Sequence, residues 1–165
     1  MKKTVLMGLI GIVAAMGVVW VSQATAQTNS PTPSRPATMT FFQGRGVAQG
    51  AAFNQGRNAN VALTLDGNNF GLELTEIQAS NVRGQAPGRV QYRGSITRRA
   101  DEPGRANSFT LNTRVSSFDS SQNLRILTNT AGTCRLEVFN SRVISSSCST
   151  VADNSSTQFL GLEQF

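Results

Sequence analysis

The chain has 165 residues, fifteen basic and nine acidic side chains, two cysteines and no histidine. That length suits one domain with one core, and the absence of histidine excludes Ser-His-Asp and Cys-His nucleophiles and the H-E-x-x-H metal motif. Lysine occurs only at Lys2 and Lys3, so Schiff-base and Ser-Lys chemistry would have to come from the extreme N-terminus.

Residues 1–26 read as a secretory signal peptide. Lys2 and Lys3 form a basic n-region, an apolar run follows to Val21, and Ala24-Thr25-Ala26 offers a small-x-small cleavage site. A retained anchor would need a basic stop-transfer flank, which this sequence does not have. Cleavage after Ala26 leaves thirteen arginines as the only basic residues, against nine carboxylates, for a net charge of +4. Residues 27–37, QTNSPTPSRPA, carry three prolines and no apolar pattern. They read as a disordered linker, because such a run buries too little surface to offset its ordering entropy.

The domain at 38–165 alternates with period two. TMTFFQGRGVA (38–48) is a candidate strand, and its adjacent Phe41 and Phe42 imply that one ring faces away from the core. NVALTLDGNNFGLELTE (60–76) is a hairpin: a fold at Gly67-Asn68 sets Leu65 opposite Phe70, Leu63 opposite Leu72 and Val61 opposite Leu74. Gly at the first turn position suits type II′. A second hairpin pairs GRVQYRGSIT with SFTLNTRV, expected with Ile96 opposite Phe109, Tyr92 opposite Thr113 and Val90 opposite Val115. Its connector RRADEPGRAN is charged, contains Pro103-Gly104 and is expected to be a long mobile loop. LRILT (124–128) and the C-terminal STQFLGLEQF are further candidate strands.

CRLEVFNSRVISSSC (134–148) holds both cysteines. A hairpin centred on Ser141 sets Val138 opposite Ile144, Leu136 opposite Ser146 and Cys134 opposite Cys148, which suits a disulfide. The spacing is not C-x-x-C, and no further cysteine or histidine completes a zinc set, so a structural staple is expected rather than a redox or metal site.

No apolar i, i+3, i+4, i+7 pattern persists after Ala26. The expected fold is all-β, a single antiparallel β-sandwich or small β-barrel of about seven or eight short strands. A membrane barrel would need aromatic girdles and an apolar outer band. Glu163 and Gly161, at the alternate positions leading back from Phe165, break that band, so no transmembrane segment is expected in the mature chain.

The nine acids are scattered. Asp66 falls in a turn, Asp101 and Glu102 in the charged connector, and Glu73 on a solvent face, so none forms a catalytic carboxylate pair. The expectation is a protein that is not an enzyme and has no cofactor and no metal. Arginine is the positive signal. In the expected register Arg89, Arg93 and Arg114 cluster on one outer face with no acid between them, a candidate site for carboxylate, sulfate or phosphate. The same pattern also describes a solvated face that resists edge association. Gly44-Arg45-Gly46 and Arg83-Gly84 are too sparse for an RGG segment, and no nucleic acid partner is expected.

The functional expectation is an exported, non-catalytic envelope protein of periplasm, cell surface or extracellular space. It would bind an anionic partner such as a surface polysaccharide. One alternative is a β-barrel carrier holding a small apolar ligand among Leu63, Phe70, Leu72, Tyr92 and Phe109. Another is a structural subunit of a surface assembly. Oligomeric state leaves no trace in the sequence.

Overall fold

In the computed structural model, residues 38–78, 86–122 and 126–162 are described. The expected signal peptide at 1–26 and linker at 27–37 lie outside them, as do Arg83-Gly84, Leu124-Arg125 and the last three residues. Alternation of apolar and polar side chains produces eight strands: β1 (Thr40–Gly50), β2 (Phe53–Asp66), β3 (Asn69–Glu76), β4 (Arg89–Asp101), β5 (Phe109–Ser120), β6 (Leu127–Phe139), β7 (Arg142–Thr150) and β8 (Thr157–Gly161). Each pairs antiparallel with the next, and β8 returns to β1 from Gly50↔Thr157 to Gly46↔Gly161. Of the two architectures expected, the barrel is the one formed, and no strand edge runs free along β2 to β7.

Eight strands enclose a space that side chains can fill. Val61, Leu63, Leu72, Leu74, Val90, Tyr92, Phe109, Leu111, Phe118, Leu136 and Phe159 are all buried inside it. Phe42 meets Phe109 edge-on at 5.1 Å between ring centres, and Tyr92 meets Phe118 at 5.1 Å. Of the two adjacent phenylalanines, Phe42 points inward at 5 % exposure and Phe41 outward at 65 %. Outward positions on β5 and β6, such as Asn112, Arg114, Arg135 and Glu137, are polar. This apolar-in, polar-out arrangement is the reverse of a lipid-spanning barrel. No helix among the described residues is long and apolar enough to cross a membrane.

Two hairpins hold the expected cross-strand pairs. Leu65↔Phe70, Leu63↔Leu72 and Val61↔Leu74 are all present across a Gly67-Asn68 turn, with Gly67 at φ 57°. In the third hairpin Cys134↔Cys148 and Leu136↔Ser146 are present, and the two cysteines form a disulfide with Cα atoms 4.1 Å apart. One pair differs: a bulge between Glu137 and Val138 sets Val138 opposite Val143 rather than Ile144. The turn closes on Asn140 and Ser141, both at positive φ (47° and 67°), as a type I′ turn requires.

The second hairpin departs further. Tyr92 faces Phe118, Val90 faces Ser120, and Ile96 faces Thr113. β4 continues to Asp101, which pairs with Phe109, and carries two irregularities on the way, at Arg93/Gly94 and Ile96/Arg98. Residues 98–101 of the expected mobile connector are therefore strand. The Arg99 guanidinium lies 4.0 Å over the Phe109 ring and 2.8 Å from Asp101, so a charged side chain covers the end of the core while its head stays wet. The remaining turn is closed by Glu102 N–H donating to Ser108 O at 2.9 Å.

Tyr92 is the only tyrosine in the chain and its hydroxyl is buried. A phenol has one hydrogen, and a carbonyl can only accept. The hydroxyl therefore donates to Ser155 O and is paired with the Thr157 hydroxyl at 2.7 Å. These contacts tie the loop between β7 and β8 to the barrel interior. Burial pushes the Tyr92 pKa up to about 12, and the Thr157 contact opposes that shift.

Candidate functional site

The outer face of β3, β4 and β5 carries the arginines singled out by the sequence, and the observed register divides them. Arg89 sits across from Thr75 of β3 at the start of β4. Its guanidinium lies 3.2 Å from Glu73 and 3.3 Å from Asp119, and Gln91 donates to the same Glu73 at 3.2 Å. The expectation that no acid lies among the three arginines fails at this position. Glu73 is a salt-bridge partner rather than a solitary solvent-facing charge. The hydrogen bond to Glu73 raises the Arg89 pKa above its ordinary value; desolvation opposes this, and the charges of Glu73 and Asp119 add to it.

Arg93 and Arg114 remain together. Arg93 is opposite Ser117, and Arg114 is opposite Ser95, two residues along β4 from Arg93. That makes them diagonal neighbours, about 7–8 Å apart at the backbone and within reach through long side chains. The second bulge adds a residue that the expected register did not bring in. Arg98 pairs with Asn112, two residues before Arg114 on β5, and so stands diagonal to Arg114 on its other side. All three are exposed, and none has a carboxylate within ion-pair distance among the described residues.

The first bulge coincides with a close approach at Gly94. A Cβ there would collide with the Arg114 carbonyl and stand 3.0 Å from the Val115 Cα, so the backbones of β4 and β5 approach more closely than any side chain allows. The Thr97 hydroxyl at the second bulge donates to Asn112 O at 2.9 Å and holds the extra residue in place. On the far side of β5, Arg135 is 3.1 Å from Glu137 and is neutralised locally. The bare arginines are thus a bounded strip, Arg93–Arg114–Arg98, with acid-paired arginines on both flanks. The sequence signal for Arg98 was the run Thr97-Arg98-Arg99 next to Gly94, legible only to a reading that allows β4 to bulge.

Chemically the strip offers guanidinium donors in planar forks and no nucleophile, acid pair or metal set. No cluster of three or more His, Cys, Asp or Glu side chains occurs among the described residues. Comparison with known protein families, characterised proteins and solved structures finds no match to this chain.

Proposed function

We propose that the protein is a non-catalytic binding module that takes an anionic partner, such as a surface polysaccharide, on the outer face of β4 and β5. The observation that carries this reading is the strip Arg93, Arg98 and Arg114, three diagonal arginines with no carboxylate partner among the described residues. Like charges held this close repel one another, and an anion laid across them relieves that repulsion through bidentate hydrogen bonds. The six carboxylates Glu73, Glu76, Asp101, Glu102, Asp119 and Glu137 are each engaged by an arginine, which speaks for a structural use of acids rather than acid–base catalysis.

The disulfide is consistent with an oxidising, exported location, and the leader-like residues 1–26 support the same reading. The apolar-carrier alternative draws no support from the barrel interior, where Leu63, Phe70, Leu72, Tyr92 and Phe109 pack against one another as core. The test is retention on an immobilised sulfated polysaccharide across a salt series. The R93Q/R98Q/R114Q variant is expected to elute at markedly lower salt, and R89Q with the wild type. Retention of the triple variant at wild-type salt sinks the proposal.

A further inference from the structure

On the opposite wall of the barrel, four strands away, β8 ends at Gly161 while β1 and β7 run on past it. The furrow left there has a volume of about 1330 Å3 and is bounded by β1, β2, β7, the Asn140-Ser141 turn and Leu162. A pocket for a single small molecule is about 300–1,000 Å3, so this one has room for a segment of a polymer. Its walls carry Arg45 and Arg142 and, among the described residues, no acid. Arg142 pairs through its backbone with Gln43, two residues from Arg45 on the same face of β1, so the two arginines rise from neighbouring strands and both line the furrow. Neither has an ion-pair partner among the described residues.

Beside these charges stand the amides of Asn58 and Asn60 and the rings of Phe41 and Phe139. From this juxtaposition we infer a second binding site, for an acidic oligosaccharide. Its carboxylates pair with Arg45 and Arg142, its hydroxyls with the two asparagines, and an apolar ring face lies on the exposed Phe41, the Phe139 ring beside it being covered by Arg105 at 4.9 Å. The site is independent of the β4–β5 strip and makes the protein two-sided, able to hold two acidic chains or two stretches of one.

The seam itself excludes the other obvious occupant, an acidic peptide added as a strand. Strand addition needs a free backbone edge. Here a Cβ on Gly44 would collide with the Val143 carbonyl, so β1 and β7 already touch, and Leu162 N–H donates to Arg45 O at 2.9 Å. The donors that remain are side chains, which suits a sugar chain lying across the furrow.

The test is calorimetric titration of the purified protein with a hexamer of galacturonate, with its methyl ester, which keeps the sugars and removes the charge, and with hexaglutamate. The hexamer is expected to bind, R45Q/R142Q to weaken it about a hundredfold, at roughly tenfold for each charge-assisted contact, and R93Q/R98Q/R114Q to leave the furrow's share unchanged. Phe41→Ala is expected to weaken the hexamer and leave hexaglutamate unaffected, a readout that a charge-only site would not give. Equal binding of hexaglutamate and hexamer overturns the sugar assignment. Wild-type affinity in R45Q/R142Q overturns the site. Binding that arises only after residues 163–165 are deleted assigns the furrow to the chain's own terminus and overturns the proposal as well. Loss in the triple β4–β5 variant alone would leave the first strip standing and remove this second one.

Discussion

Arg89 and Arg93 lie four residues apart on the same outer side of β4, and their surroundings are opposite. Arg89 is held between Glu73 and Asp119, one from each neighbouring strand. Arg93 faces Gly71 on β3 and Ser117 on β5, and Arg114 is its diagonal neighbour, with Arg98 on the far side of Arg114. Glu73 and Asp119 both face Gln91, midway between the two arginines and ahead of the first bulge, and both pair with Arg89 rather than Arg93. Beyond the bulge, β4 brings Arg98 and faces Arg114, among serine, threonine and asparagine and with no acid opposite. One strand therefore carries a neutralised end and a bare end, and only the bare end has charge left for a partner.

The strongest way to disturb the bare end is to remove the close approach at Gly94, where the register of β4 and β5 shifts beside Arg114. Gly94→Val puts side-chain atoms where the Arg114 carbonyl stands, and the two strands must separate or slip. The expected loss is about 3 kcal/mol in urea denaturation. A loss below about 1 kcal/mol would mean that the bulged register is not pinned by this contact.

The inner side of the same segment gives the next largest effect. The Tyr92 pKa is raised from 10.0 to about 12 by burial. A group whose folded pKa lies above its unfolded value contributes stability that is fully present below pH 10 and is lost as pH rises through about 12. A shift of this size corresponds to a loss on the order of 2–3 kcal/mol at the alkaline end. Tyr92→Phe should flatten stability between pH 10 and 12. With a single tyrosine in the chain, phenolate absorbance follows this group alone. A midpoint near 10 with the barrel still folded would contradict the buried hydroxyl.

These two positions also explain how much of the molecule the sequence disclosed. Val61–Leu65 and Phe70–Leu74 alternate without interruption around a two-residue turn, so parity alone sets their register. Cys134 and Cys148 add a covalent check to the third hairpin, and a single bulge near its turn displaced only the Val138 pair. The second hairpin offered no such check. Its apolar residues still point inward, but β4 runs on to Asp101 and moves the turn along the chain, and one extra residue in each strand, Ser116 in β5 and Thr97 in β4, offsets the pairs between the two bulges. Bulges follow from how closely two backbones approach, and Gly94 is their only mark in the sequence. The consequence fell directly on the candidate site: Arg89 left it, Arg98 entered it, and Arg93 and Arg114 stayed. The furrow at Arg45 and Arg142 was hidden for a different reason, since it depends on where β8 ends relative to β1 and β7, which no local pattern encodes.

The smallest expected change in stability is also the sharpest comparison of the two ends of β4. Arg89→Gln removes contacts between side chains that are about two-fifths exposed, so the loss should stay below about 1 kcal/mol, with retention on a sulfated polysaccharide unaltered. Ser117→Glu does the converse and gives Arg93 a carboxylate directly across the strand pair, where Asp119 reaches Arg89 from the diagonal position opposite Gln91. Stability should change by no more than about 0.5 kcal/mol, because an exposed pair in water gains little Coulomb energy beyond the entropy of holding two long side chains. Retention should nevertheless fall to lower salt, since the strip now carries its own counter-ion. An S117E protein that elutes with the wild type, while R93Q/R98Q/R114Q does not, would mean that Arg98 and Arg114 suffice and that Arg93 is only their neighbour. If both variants elute with the wild type, the bare end of β4 is a solvated surface like its other end.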